Sequence, residues 1–544
     1  MRTRRSVLST PDRLEGIVAT RRRFLTFTGA AAAAALTPDL LGIARDHAAP
    51  RPGSKLRGNP FGLGIASGDP LSNAVVIWTR LAPEPLAPFG GMEYEAVPVL
   101  WQVAEDERFG TIVKSGTAQA RPESTHAVHV DVRGLRPGRD YFYRFNAGGE
   151  ISPVGRTRTA PADGAPLDRL AFAFASCQSW TAGHYTAYAD MARQDLDVIL
   201  HLGDYIYEYG VRPDVARDVA VPSRLAFPSM VETETLDQYR DQYALFKSDP
   251  DLQAAHAIAP WIVTIDDHEV VDNWAGRIDK DETPWARFLL RRANALRAHW
   301  EHMPLRLSQL PTGPDMRIYR RFTFGDLAQF NVLDTRQHRS DQVEQDSSAW
   351  QDPARTMTGK KQEDWLLTGL AGSAQRWKVV AQQNALSRLD SLEGAGTRYS
   401  MDMWDGYPAS RRRILAGAHE RHVRNLVSLG GDVHRSIASD LKLDFGDQKS
   451  PNVGVEFTGT SISSGGDGVD LDASGRRTLD ENPHVRFVNV QRGYVHCTVT
   501  PSEWQSEFRV ANQVTDPGGT VSTRTRLVVE DGSSRIQSTS GAQP

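Results

Sequence analysis

The chain has 544 residues, 40% hydrophobic and 24% charged, with a formal net charge of −4 at neutral pH. That length accommodates two or more domains. The near-neutral balance, with no Lys/Arg block interleaved with aromatics, argues against a nucleic-acid-binding surface.

Residues 1–49 read as an export leader. Thr20-Arg21-Arg22-Arg23-Phe24-Leu25 is a twin-arginine pattern, and Phe27, Gly29, an alanine run from Ala30 to Ala35 and Leu36 follow it. A basic segment before a short apolar one is the layout of a cleaved signal, here expected to be cut near Ala48 or Ala49. The apolar part is shorter than the roughly 20 residues that span a bilayer, so it predicts no stable membrane anchor. The expectation is passage through the twin-arginine translocase to a secreted, periplasmic or cell-wall location. Such a leader carries proteins already folded, which suits a protein that acquires metal before export.

Residues 58–158 read as an all-β domain. VVIWTRL, VPVLWQVAED, HAVHVDV and DYFYRFNAG are alternating or β-rich runs. GLRPGRDYFYRF (134–145) resembles the turn and strand of fibronectin- and immunoglobulin-like sandwiches, without a Cys–Trp–Cys framework. Gly155 to Pro166 reads as a linker. Residues 168–531 then follow a β–α–β rhythm: AFAFASC as a buried strand, GHYTAYADMARQD as a helix, DVILHLGD as a strand again. Residues 283–303 form the clearest helical pattern, started by Pro284, with Trp285, Phe288, Leu289, Ala293, Leu296 and Trp300 on one face. FGDLAQFNVLDTR, RWKVVAQQNALS, RNLVSLGGDVH and GVEFTGTS add strands, and a hairpin around Pro501 to Trp504 closes the domain. Residues 532–544, rich in Ser, Gly and Gln, read as a disordered tail.

The chemistry sits where apolar runs stop. WIVTIDDHEVVDNW (261–274) ends in Asp266, Asp267, His268 and Glu269, with Asp272 and Asn273 following. VILHLGDYIYEY ends in Asp204, Tyr205 and Tyr207, and LVSLGGDVHRS in Asp432 and His434. Carboxylates this dense repel one another and are costly to desolvate without a cation among them. Strand ends that all carry hard or borderline ligands predict one polynuclear metal site at a sheet edge, and metal-assisted hydrolysis of a phosphate ester. Asp204, leaving VILHL through Gly203, is placed to bridge two metals. Cys177 ends its strand in the same way; a thiolate ligand is the favoured reading, with an inert buried thiol or a disulfide to the distant Cys497 as alternatives. Tyr207 is a phenolate candidate. Thiolate and phenolate together favour trivalent iron over Mg²⁺, and Asp267, Asn273 and Asp432 suit harder cations such as Ca²⁺ or Mn²⁺. Alone, each residue has an ordinary explanation: Tyr207 as packing, Asp432 as a turn residue, Asp266 and Asp267 as helix caps.

Taken together, SCQSW, LGDYIYEY, DDHEVVDNW, LDTRQHRSDQ, AQQNALS and GGDVHRS resemble the PhoD-type alkaline phosphatases and phosphodiesterases, distant relatives of purple acid phosphatases and calcineurin-like metallophosphoesterases. The leader and the N-terminal β-domain resemble that family's layout as well. The resemblance implies an α/β fold: a metallophosphoesterase-like two-sheet β-sandwich flanked by helices, behind an N-terminal all-β domain of immunoglobulin or fibronectin type. Ser176-Cys177-Gln178 stands where generic relatives carry Asp-x-His. Asp-Asp-His-Glu replaces Gly-Asn-His, and Gly-Asp-Val-His replaces Gly-His-x-His. These departures point away from a plain two-zinc or two-manganese site and imply Fe³⁺ with Ca²⁺. By resemblance, Cys177, Tyr207 and His434 bind iron, Asp204 bridges, and Asp267, Asn273 and Asp432 serve calcium. His268 lies beside the substrate and protonates or orients the leaving alkoxide, and Arg336 is the best candidate to grip phosphate oxygens, as a guanidinium does bidentately, with a structural ion pair to a nearby carboxylate as its alternative. A metal-activated hydroxide attacks in line. The expected substrate is a phosphate monoester or diester, phospholipid included. A phospholipase D-like phosphodiesterase is the alternative within the family, and a calcium-stabilised extracellular binding protein the alternative outside enzymes.

Overall fold

Neighbouring parallel strands in each of two sheets end at one shared edge, and that edge is where the polar clusters lie. The computed structural model describes residues 56, 58–210 and 231–540, all within one unit, Pro50–Pro544. The expected leader and residues 541–544 lie outside the described residues.

The strands, in chain order, are β1 (Ile65–Leu71), β2 (Ala74–Arg80), β3 (Val97–Ala104), β4 (Ile112–Ala120), β5 (Ala127–Arg133), β6 (Asp140–Ala147), β7 (Glu150–Ile151), β8 (Gly155–Arg158), β9 (Leu170–Ala175), β10 (Val198–His201) and β11 (Trp261–Val263). They continue with β12 (Arg320–Phe324), β13 (Ala328–Val332), β14 (Trp377–Ala381), β15 (Leu426–Gly430), β16 (Ser436–Lys442), β17 (Asn452–Thr458), β18 (Val485–Asn489), β19 (Gly493–Val499), β20 (Glu503–Ala511), β21 (Val521–Glu530) and β22 (Gln537–Ser540). The helices are α1 (Thr186–Met191), α2 (Leu236–Lys247), α3 (Pro250–Ile258), α4 (Trp285–His302), α5 (Lys360–Gly372), α6 (Pro408–Glu420) and α7 (Ala473–Glu481).

A ten-stranded sheet has the order β22-β21-β20-β19-β9-β10-β11-β1-β2-β5, and a seven-stranded sheet the order β12-β13-β14-β15-β17-β16-β18. Both are mixed. Their inner faces share one core in which Phe172 and Phe174 of β9 meet Phe330 of β13, Trp377 of β14 and Trp504 and Phe508 of β20, all essentially fully buried. Phe172 and Phe330, from opposite sheets, meet edge to face with centroids 5.2 Å apart. Each such ring contributes about 1.5–3 kcal/mol by leaving water, and the pairing adds to that.

The region read as an N-terminal β-domain divides its strands. β3, β4, β6 and β7 form a sheet of their own, with β8 paired to β6. β1, β2 and β5 instead extend the ten-stranded sheet, joined through the parallel pairing of β1 with β11 at Gly68 and Trp261. β2 is buried along its whole length, which explains its unbroken apolar run. Ile65, Val75, Ile77, Val128 and Val132 from that extension pack against Val99, Val103, Tyr143 and Phe145 of the smaller sheet.

Three local expectations are corrected. Part of the presumed linker, Gly155–Arg158, is strand β8. Part of the presumed disordered tail, Gln537–Ser540, is strand β22, paired to β21 by backbone hydrogen bonds that its polar composition does not advertise. Trp285 starts helix α4 but is 68% exposed. A helical side chain leans back toward the N-terminus, and a first-turn residue therefore projects past the surface that the rest of the helix packs on. Phe288, Leu296 and Trp300 on the same helix are buried as expected.

Candidate active site

β9, β10 and β11 are parallel neighbours in the larger sheet, and β13, β14 and β15 in the smaller one. Their C-terminal exits deliver Cys177, Asp204, the run Asp266–Glu269, Arg336, Asn384 and Asp432. Carboxyl ends of parallel strands are the usual place for ligands in such sheets. A parallel bridge between Ser176, after β9, and Ser461, after β17, links the two sheets beside these exits.

The exits are sharp. Cys177, Asp204, Asn273, Asp432 and His434 all have positive φ, between 52° and 66°. L-residues seldom adopt this conformation, and it persists where the surroundings over-determine it, commonly at functional sites. Gly203 makes the Asp204 turn possible: its φ is 118°, and a Cβ there would lie 2.4 Å from the Asp266 Cβ. Glu269, fully buried, clamps two exits at once, accepting from the N–H groups of Asp204 (3.0 Å), Tyr205 (2.6 Å) and Asp266 (2.6 Å).

The structure brings most of the expected ligands together. Donor atoms of Cys177, Asp204 and His434 lie within 4.8 Å of one another, as do those of Asp204, Asp267 and His268, and those of Asp204, Asp266, Asp267 and Asp432. Asp204 belongs to all three groups. Tyr207 joins the first: its Oη lies 3.3 Å from Asp204 Oδ2, 3.4 Å from His434 Nε2 and 2.7 Å from Ser464 Oγ. Asn273 meets the site through its backbone, donating its N–H to Asp267 Oδ2 at 2.8 Å. His268 Nδ1 is 2.7 Å from Glu208 Oε2, and its ring lies 4.3 Å from that of Tyr207. Arg336 is fully buried behind the carboxylates: Nε donates to Asp266, Nη1 lies 3.0 Å from Asp402, and Nη2 lies 3.4 Å from Asp267. Cys177 and Cys497 are both free thiols.

Charge in this pocket is unevenly held. Burial pushes the carboxyls of Asp204 and Asp266 well above the ordinary range, and neighbouring carboxylates add to it against the pull of His268 and Arg336 respectively. Burial and Asp267 raise Asp432 to about 6. Asp267 moves the other way: against its own burial, Arg336 and His268 hold it well below the usual carboxylate range. Burial also drives the Cys177 thiol and the Tyr207 phenol upward, with Asp204 adding to both. For His268 burial is outweighed by Asp267, Asp204 and Glu208, which raise it; burial lowers His434 to about 4. One negative charge is thus matched by Arg336 and His268, and the remaining acids ionise together only beside further positive charge. Asp267 Oδ1 is buried without a hydrogen-bond partner. The donor set of S, N and several O atoms fits metal ions.

Several functional residues had little or no signal in the sequence. Glu208 lies inside the LGDYIYEY run and orients His268 while accepting the Asp272 N–H at 2.8 Å, but nothing at short range marks that role. Asp402, which receives Arg336, Arg339 and Gln342, comes from a loop outside every strand-end motif. Ser464 ties the Tyr207 hydroxyl to the Cys177 carbonyl.

Residues 172–508 match the PhoD-like phosphatase family, and residues 47–161 match the N-terminal domain of PhoD-like phosphatases. Alkaline phosphatase D of Bacillus subtilis (strain 168) is 50% identical over 476 residues, 87% of this chain and 81% of that protein. A solved structure of PhoD aligns with a TM-score of 0.86 at 48% identity, covering 90% of this chain and 94% of that one. The chain belongs to the PhoD-like phosphatase family.

Gly203→Ala tests the exit geometry. It forces a Cβ into Asp266, and backbone strain alone is worth on the order of 1–3 kcal/mol. We expect a lower melting temperature and loss of bound metal by elemental analysis, whereas Gly372→Ala, with open space at its Cβ position, leaves both unchanged.

Proposed function

We propose that this chain is a metal-dependent phosphoric ester hydrolase, an alkaline phosphatase with phosphodiesterase capacity, built on a metallophosphoesterase-like pair of sheets. Membership in the PhoD-like phosphatase family supports the phosphoesterase activity directly. The observation that carries the finer reading is the sharing of Asp204 between two unlike donor groups. One contains a thiol, an imidazole and a neighbouring phenol, suited to Fe³⁺; the other contains only carboxylates, suited to Ca²⁺. In this reading Cys177, Tyr207 and His434 would hold iron, Asp267, Asn273 and Asp432 would hold calcium, and Asp204 would serve both sets.

Ions held by these residues would supply Lewis-acid polarisation of the phosphoryl oxygens and would acidify the attacking water. The chain's own groups do the rest. Glu208 fixes the His268 ring through Nδ1, and His268, 12% exposed, transfers a proton to the leaving alkoxide. Gly203, Glu269 and the left-handed exits hold the acids at spacings they would not adopt in a relaxed chain. Burial and carboxylate partners favour a positioning role for Arg336, orienting Asp266 and Asp267, over direct contact with phosphate.

Among the described residues no helix is long and apolar enough to cross a membrane. Export through the twin-arginine route is proposed on the Arg21–Leu25 pattern, which lies outside the described residues.

Elemental analysis of the purified chain, with activity on p-nitrophenyl phosphate and its bis-ester before and after chelation, tests the metal assignment. Iron together with calcium, and activity lost with the calcium, is the expected result; zinc or manganese without iron rejects it. Asp204→Ala is expected to lose metal and activity together, and a metal-loaded, active variant would remove the bridging role. His268→Ala is expected to keep its metal and lose on the order of 10²–10⁴-fold in kcat. Full turnover there would take His268 out of the mechanism.

A further inference from the structure

Arg411, Arg412 and Arg413 follow one another near the start of α6, where a helix ordinarily favours acids. The first turn holds no acidic residue, and Tyr407 at the N-cap makes no capping bond with its side chain. Positive charge is therefore added to the positive end of the helix dipole. Two of the three arginines are neutralised: Arg413 Nε lies 2.7 Å from Glu363 Oε2, and Arg411 Nη1 lies 2.6 Å from Asp405 Oδ1. Arg412 is exposed and, among the described residues, has no carboxylate or hydrogen-bond partner. Arg388, half-buried on the loop after β14, lines the same cleft, and its Nε is buried with no hydrogen-bond partner.

That cleft has a volume of about 460 Å³. Trp350, Tyr399 and Phe445 supply aromatic walls: the Trp350 and Tyr399 ring centroids are 5.8 Å apart, and the Arg411 guanidinium lies 5.2 Å from the Phe445 centroid. The nearby carboxylates are already engaged. Asp405 Oδ1 takes Arg411 while its Oδ2 accepts the Leu389 N–H at 3.0 Å, and Asp444 Oδ1 accepts the Gly446 N–H at 2.8 Å. His484, which packs on Phe445 with centroids 4.7 Å apart, senses the resulting field. Burial lowers its ring to about 4 against its bond to the Arg388 carbonyl, and Arg388, Arg411 and Arg486 push the same way as burial. An open cleft with uncompensated guanidinium groups suits phosphate oxygens, and aromatic walls suit an organic body attached to them.

We propose that this cleft is a second binding site for a phosphate-bearing ligand, with Arg388 and Arg412 on the phosphate oxygens. None of its lining residues belongs to the donor groups at the strand exits, so it stands apart from the acid cluster and from any assignment of metals there. The two are nonetheless joined by one loop: Tyr399 and Asp405 flank Asp402, which receives Arg336. The aromatic walls favour a phosphoester over free phosphate as the occupant.

The test uses the full chain as purified and two probes that a phosphatase does not hydrolyse, phenylphosphonate and inorganic phosphate. Calorimetry counts the sites, and inhibition of p-nitrophenyl phosphate hydrolysis reads the active site alone. The wild type is expected to bind two equivalents of phenylphosphonate per chain, only one of them competitive with substrate. Arg412→Glu, a surface substitution, is expected to weaken the non-competitive equivalent on the order of 10-fold or more, with kcat, KM, the inhibition constant and the melting temperature unchanged. Arg388→Ala is expected to weaken the same equivalent. Phenylphosphonate binding there more tightly than phosphate, with the difference lost in Trp350→Ala, supports a phosphoester as the occupant; equal binding, indifferent to Trp350→Ala, supports free phosphate. A single, competitive equivalent in the wild type overturns the proposal, and so does a second equivalent that Arg412→Glu leaves unaltered.

Discussion

Four carboxyl groups that repel one another are forced into one buried pocket, and the rest of the structure is arranged around that conflict. Asp204, Asp266, Asp267 and Asp432 come from three strand exits, yet their oxygens lie within 4.8 Å of one another. The protein answers with only limited positive charge. Arg336 sits behind Asp266 and Asp267, and His268 sits beside Asp204 and Asp267, so Asp267 stays ionised while burial drives the others toward their neutral forms. A site of this kind is stable as a scaffold but electrostatically incomplete without added positive charge. That is the physical reason for reading it as a metal centre rather than as a structural cluster of acids.

Holding the acids there requires backbone strain, and the strain is spread over several exits. Positive φ at Cys177, Asp204, Asp432 and His434 turns the chain abruptly as each strand ends. Buried carboxylates serve as anchors for loop backbone: Glu269 collects three N–H groups from the β10 and β11 exits, and Glu456 collects two from the β14 exit. The aromatic core between the sheets supplies the rigidity against which these turns are held. The pairing of β1 with β11 adds the N-terminal strands to the same platform.

The pocket is also chemically lopsided. Sulfur, imidazole and phenol gather with Asp204 in one group, and carboxylates with the His268 imidazole surround it in the others. Arg336 lies among three aspartates, donating from Nε to Asp266 and from Nη1 to Asp402, while its Nη2 has no hydrogen-bond partner.

How much of this was legible in the chain depends on the range of each interaction. Asp204, Asp267, Asp432 and Cys177 could be read because each directly follows an apolar strand, a local pattern that survives in one dimension; the α/β alternation and helix α4 were legible for the same reason. Asp402, 66 residues from Arg336, and Glu208, 60 residues from His268, carried no such mark, because their partners are chosen by which strand exits become neighbours. The edge strands β8 and β22 were equally silent, since backbone pairing needs a free sheet edge and makes little demand on side chains. The sequence by itself determined the ligand types and the points where strands end. Tertiary structure alone decided which exits converge, which acids come within reach of one another, and that the guanidinium among them faces carboxylates, because those outcomes depend on desolvation and distance across two sheets.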